Sequence, residues 1–156
     1  MTGQELIPKK KILVIDDQYP IRELLETMLE DEYDVIKAAS AQEARVVLNH
    51  PVELILLDVM MPEFDGLSFC KELKKNSNTK NIPILILTAK HLEPDLQKAI
   101  EAGADEYLTK PFDDDYLIKR IKIIIEKNIE DDVPPNGKLL QFGGGFHWVR
   151  RKIASA

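Results

Sequence analysis

Three runs of this chain, Lys11–Asp16 (KILVID), Leu54–Asp58 (LILLD) and Pro83–Thr88 (PILILT), are apolar at nearly every position instead of at every second one. A strand with one wet face alternates apolar and polar residues. A run apolar on both faces needs cover on both, which is the condition of a strand inside a parallel sheet. Asp34–Ala39 (DVIKAA) and Glu106–Lys110 (EYLTK) are further strand candidates with a weaker signal. Helical patterns fill the gaps. Pro20–Glu30 puts Ile21, Leu24, Leu25, Met28 and Leu29 on one stripe. Ser40-Ala41-Gln42-Glu43 is a capping box that opens a helix through Ala44, Val47 and Leu48. Leu67–Lys75 follows the break at Asp65-Gly66. A segment from Pro94 stops at Gly103. Asp113–Lys127 carries its acids at the amino end, where the helix dipole favours them. Strand followed by helix, repeated five times, predicts an α/β fold: a doubly wound parallel sheet with helices on both faces.

The bulk properties fit one such domain. The chain has 156 residues, 44% hydrophobic and 31% charged, with a net charge of −6, so it is no general nucleic-acid binder. No apolar run approaches the ~18 residues of a membrane span, and the start is not a signal peptide, so a cytoplasmic location is expected. The single cysteine, Cys70, excludes an internal disulfide and reads as a half-buried helix residue. His50, His91 and His147 are scattered without ligand spacing and read as solvated.

The chemistry lies at the strand ends. The apolar runs finish in Asp16 and Asp17, Asp58, Thr88 and Lys110. Ligands of parallel α/β sheets bind beyond the carboxyl ends of the strands. If the first, third, fourth and fifth strands are neighbours, three carboxylates, a hydroxyl and an ammonium meet in one cleft. Clustered carboxylates repel unless a cation compensates them. A hard divalent ion such as Mg²⁺, bound through one or two carboxylates and keeping its water, suits this oxygen donor set. A carboxylate in that setting can attack phosphorus and form an aspartyl phosphate, with the cation and Lys110 neutralising the phosphoryl oxygens and Thr88 donating to one of them. Taken singly, each of these residues reads as a helix cap or a loop acid; the joint pattern carries the inference.

The segments VIDD, LLDVMMPEFDG, LTA and YLTKPF, at these strand ends, resemble the receiver domain of bacterial two-component response regulators, a chemotaxis-regulator-like, flavodoxin-like fold. The resemblance covers residues 9–127. It implies strand order 2-1-3-4-5 with five flanking helices, and Asp58 as phosphoacceptor. It implies Mg²⁺ held by Asp16, Asp17, Asp58 and the backbone carbonyl of Met60, with Thr88 and Lys110 contacting the phosphoryl group. It also implies a switch through Thr88 and Tyr107, a small Ala89 where the phosphoryl group enters, and a cis Lys110–Pro111 bond. Met60 and Lys90 occupy positions that tune phosphate lifetime in such domains. The implied partners are a histidine kinase or phosphotransfer protein and a downstream protein target. These meet a face built from Pro94–Ala102, Glu106–Thr109 and Asp113–Lys127, with a phosphorylation-dependent homodimer as one use of it. Such a protein is a signalling phosphoacceptor and not an enzyme acting on other substrates. An aspartyl phosphatase is the competing reading, but adjacent Asp16-Asp17 replaces the Asp-x-Asp such enzymes use.

Residues 128–138 (NIEDDVPPNGK) read as a linker. Residues 139–156 form a basic-aromatic tail, with Phe142, Phe146 and Trp148 around Gly143-Gly144-Gly145 and RRK after them, too short to fold alone. No complete output domain is legible there. A stand-alone receiver is one expectation, and the receiver part of a longer DNA-binding or enzymatic regulator is the other. For the tail, partner binding, contact with a membrane surface or nucleic acid, and no function at all remain open.

Overall fold

A computed structural model describes residues 7–59, 65–89, 93–126, 140–142 and 145–150. The linker 128–138, and Met60, Lys90 and His91, lie outside the described residues.

Five strands run parallel: β1 (Lys10–Ile15), β2 (Tyr33–Ala38), β3 (Leu54–Leu57), β4 (Ile84–Thr88) and β5 (Glu106–Thr109). Between and after them lie α1 (Tyr19–Leu29), α2 (Ala41–Val47), α3 (Gly66–Lys75), α4 (Glu93–Glu101) and α5 (Asp114–Glu126). Two more strands, β6 (Leu140–Phe142) and β7 (Gly145–Val149), extend the sheet, and the order is β2-β1-β3-β4-β5-β7-β6. The 2-1-3-4-5 order and five helices match the sequence expectation; the added antiparallel pair does not figure in it.

The continuous apolar runs explain the layers. Alternate residues of β1, β3 and β4 enter opposite cores. Leu13, Ile15, Ile55, Leu57, Ile84 and Ile86 pack with Ala41 and Ala44 of α2, Phe69 and Leu73 of α3, and Leu96 and Ala99 of α4. Ile12, Val14, Leu54, Leu56, Leu85 and Leu87 pack with Leu25 and Leu29 of α1 and Leu117, Ile121 and Ile124 of α5. Two helices therefore cover one face and three the other. The edge strand β2 is only half-buried, and Lys37 on it pairs with Glu23 and Glu26 of α1 at 2.7 and 3.1 Å. A charged edge of this kind discourages pairing with other chains.

Local chemistry sets the helix ends. Ser40 Oγ accepts from Glu43 N at 3.2 Å, and Glu43 Oε2 accepts from Ala39 N at 2.6 Å, one residue before the cap. Asp65 caps α3 through Leu67 N at 3.0 Å, and Asp113 caps α5 through Tyr116 N at 3.0 Å. Gly103 ends the α4 segment at φ +92, a conformation L side chains rarely adopt. Gly66 has a different reason: a Cβ there would sit 2.7 Å from Val59 Cα and 3.0 Å from the Asp58 carbonyl oxygen. Cys70 is fully buried rather than half-buried, and burial pushes its thiol up to about 11.

Candidate functional site

Asp16 follows β1, Asp58 follows β3, Thr88 ends β4 and Lys110 follows β5, so all four stand at the carboxyl edge of adjacent parallel strands. Backbone bonds hold them there. Asp16 N donates to Ala38 O at 3.1 Å, Asp58 N to Ile15 O at 3.0 Å, and Lys110 N to Thr88 O at 2.7 Å. The Lys110–Pro111 peptide is cis.

The side chains converge. Lys110 Nζ lies 3.4 Å from Asp58 Oδ2 and 3.7 Å from Asp16 Oδ2. Both aspartates are nearly inaccessible, at 3% for Asp16 and 6% for Asp58, and Thr88 is wholly buried. Asp16 Oδ1 accepts from Gln18 N at 2.9 Å, and Arg22 Nη1 donates to the Asp16 carbonyl at 2.8 Å. Burial pushes the Asp16 carboxyl up to about 6, and the neighbouring Asp58 adds to the rise; the Gln18 amide and Lys110 oppose it. Asp17 sits half-buried beside them, in the turn leading to α1, and exposed Ala89 follows Thr88. Among the described residues no three acidic, imidazole or thiol groups form a metal cage. The close set is Asp16, Asp58 and Lys110.

That set still fits a hard cation. Two buried carboxylates share one ammonium, and burial first, then the Asp58 charge, holds the Asp16 group up. Mg²⁺ takes one or two carboxylates and keeps several waters, so it needs no closed cage of protein ligands. The donors are oxygens throughout, which disfavours softer metals. A surface concavity of about 510 Å³ lies at the other, amino end of β1 and β2, lined in part by Pro8, Lys9, Lys11 and Tyr33, and shares no residue with this cleft.

Tyr107 lies in β5, 1% exposed, in the core that also holds Leu96, Ala99 and Trp148. Burial raises its hydroxyl pKa, and Asp95 of α4 adds to this. On the opposite face of β5, Glu106 receives both Nε and Nη2 of Arg120 at 2.8 and 2.7 Å, and His147 Nε2 at 2.7 Å. Tyr116 Oη meets His147 Nδ1 at 2.5 Å. His50 is exposed as expected, but His147 is fully buried, because β7 pairs with β5 and turns it toward α5. This buried cluster was not read from the sequence. The available signal was an arginine on the apolar stripe of α5, between Leu117 and Ile121, and an acid opening an otherwise apolar strand. Among the described residues no helix is long and apolar enough to cross a membrane.

The family model described as "Response regulator receiver domain" matches residues 12–122. Among curated proteins, the chain is 43% identical over 143 residues to a "Probable transcriptional regulator ycf27" of Cyanophora paradoxa, covering 88% of this chain and 58% of that protein. It is 41% identical over 120 residues to the phosphate regulon transcriptional regulatory protein PhoB of Escherichia coli K12, covering 76% of this chain and 52% of PhoB. The chain thus spans somewhat over half the length of these relatives. Among solved structures, the receiver domain of the Francisella response regulator 1452 superposes with TM-score 0.70 at 34% identity, covering 77% of this chain and 99% of that one. The Vibrio cholerae chemotaxis protein CheY4 superposes with TM-score 0.70 at 32% identity, covering 74% and 98%.

Proposed function

The chain belongs to the response regulator receiver family, and from that premise we propose that Asp58 is its phosphoacceptor, served by Asp16, Asp17, Thr88 and Lys110. The family is one of signalling proteins whose partner is a histidine kinase, and Mg²⁺ is typical of it. The observation that supports the assignment best is Lys110 Nζ within 3.4 Å of the buried Asp58 carboxylate, at the carboxyl edge of adjacent strands.

An Asp58 carboxylate oxygen attacks the phosphorus of a phosphohistidine or small acyl phosphate. The new Asp58 O–P bond forms as the donor's N–P or O–P bond breaks, and the electron pair leaves with the donor. Lys110 follows the charge onto the phosphoryl oxygens and Thr88 donates to one of them. Asp16, Asp17, Asp58 and the Met60 carbonyl would hold Mg²⁺, which supplies charge neutralisation at the phosphoryl group. Thr88 and Tyr107 then bias the face of α4, β5 and α5 between two populations that differ in affinity for a protein target or a second copy.

Intact-protein mass spectrometry after incubation with Mg²⁺ and acetyl phosphate tests this. One phosphoryl increment is expected on the wild type and none on Asp58→Asn. An equal increment on the variant removes the assignment. A second reading, the receiver of a longer DNA-binding regulator, is supported by relatives named as transcriptional regulators, of which the matched stretch covers only 58% and 52%. Reading the natural coding sequence past Ala156 tests it.

A further inference from the structure

The edge of β5 is occupied by the chain's own residues 145–150, and the contact holds more than strand pairing. Glu106, Tyr107 and Leu108 pair with Val149, Trp148 and His147. Phe146 N donates to Thr109 Oγ1 at 2.6 Å, and Arg150 N to Asp105 O at 2.7 Å. Arg150 also reaches α4, with Nη2 on Ile100 O at 2.5 Å and Nε on Ala104 O at 2.9 Å. The first carbonyl lies in the last turn of α4, where it also accepts from Gly103 N, and the second in the loop that leads to β5. On the other face, His147 joins Tyr116 and the Glu106–Arg120 pair of α5 and β5. Successive residues of β7 therefore serve both faces: Trp148 enters the core with Tyr107, and His147 enters the polar cluster. One short segment ties together α4, β5 and α5.

We propose that residues 145–150 are a strand ligand acting in cis: they cap the β5 edge, cover the α4–β5–α5 face, and are recognised through His147 by the buried Glu106–Arg120 pair. The proposal rests on the receiver reading only for the role of that face. The recognition has a chemical logic. The Glu106 carboxylate, gripped by two Arg120 nitrogens, can only accept, so the ring Nε2 donates to it and Nδ1 can accept from the Tyr116 hydroxyl. A strand without an N–H donor opposite Leu108 would leave this carboxylate short of a bond. Strand addition of this kind takes affinity from the main chain and selectivity from alternate side chains.

Arg120 Nη1 is buried with no hydrogen-bond partner among the described residues. Displacement frees a strand edge beside Tyr107 and Lys110, so a competing strand and the phosphoryl site act on the same element. By linkage, whatever shifts one shifts the other.

Trp148 is the only tryptophan of the chain and reports the cap directly. The test uses the full chain, wild type and His147→Ala, with acrylamide quenching of Trp148 and a fluorescein-labelled synthetic peptide of residues 138–152 followed by anisotropy. We expect Trp148 of the wild type to be quenched several-fold more slowly than in the free peptide, and His147→Ala to approach the peptide value. The labelled peptide should bind His147→Ala at least tenfold more tightly than wild type, because the edge has been vacated. His147→Gln, which restores an N–H donor, should move both readouts back toward wild type. Arg150→Ala replaces His147→Ala if circular dichroism shows the latter unfolded. A wild-type Trp148 as accessible as the peptide's, or a folded variant with wild-type peptide affinity, overturns the proposal. Acetyl phosphate labelling of Asp58 in the same samples separates the two readings: its failure strikes the phosphoacceptor assignment and leaves the cap to be judged by Trp148 and the peptide.

Discussion

Asp16 shows how one residue can carry an energetic cost that function explains. Its carboxyl is 3% exposed and pushed up to about 6, first by burial and then by Asp58. A group whose folded pKa lies above its unfolded value of 3.8 holds its proton more tightly in the folded state. Its stabilising contribution is full below about pH 4 and is lost as the pH rises through about 6. With metal removed by EDTA, Asp16→Asn should therefore stabilise the protein at pH 7, on the order of 2–3 kcal/mol, and change little at pH 3.5. Urea unfolding at the two pH values measures this; equal effects at both would count against burial as the cause. Mg²⁺ should stabilise the wild type at pH 7 and lose that effect in Asp16→Asn. Gly66 is the second informative residue. A methyl group there meets the Val59 backbone at 2.7 Å, and backbone cannot yield as a flexible side chain can. Gly66→Ala should cost about 1–3 kcal/mol in urea unfolding and slow the phosphorylation of Asp58, whose carbonyl it also presses.

At the scale of elements, β5 is the busiest strand. It pairs with β4 on one side and β7 on the other, delivers Lys110 to the cleft, places Tyr107 in one core and anchors Glu106 against α5. The Glu106–Arg120 pair is almost completely buried, at 3% and 1% exposure. Breaking such a pair by removing one partner leaves an uncompensated buried charge, worth about 3–5 kcal/mol, whereas replacing both with apolar groups is often tolerated. Glu106→Gln should thus lower the melting temperature by many degrees, and Glu106→Leu with Arg120→Met should recover most of the loss. Thermal denaturation of the single and double variants decides it. A double variant as unstable as the single would show that the packing, not the unpaired charge, sets the cost. The ion pairs on exposed surface, such as Arg45 with Glu72 at 2.8 Å, are about half-exposed and should contribute little by comparison.

At the scale of the whole molecule, two apolar layers flank β3, β4 and the last four residues of β1, which are buried on both faces, while β2 is half-open. Hydrogen exchange should follow that gradient, with the amides of Val14, Leu56 and Ile86 opening only on global unfolding and those of β2 opening sooner. Equal protection across the sheet would contradict it. The same division shows how far the chain could be read from its letters. Local pattern suffices for the parallel sheet, because short β-branched apolar runs alternate with amphipathic helical stretches five times, and capping residues such as Ser40 and Asp65 act within a few residues of themselves. Asp58, Asp16, Thr88 and Lys110 were legible as strand ends on one edge, while which of them meet depended on a strand order that only the receiver resemblance implied. The burial of Asp16, the grip of Lys110 on two carboxylates and the close approach at Gly66 needed the packed structure, since each depends on distances between segments far apart in sequence. His147 is the plainest case. Its letter suggests a solvated side chain, and nothing within several residues alters that. Only the antiparallel pairing of β7 with β5 turns it inward to Glu106, because burial and partnership belong to the contact and not to the segment.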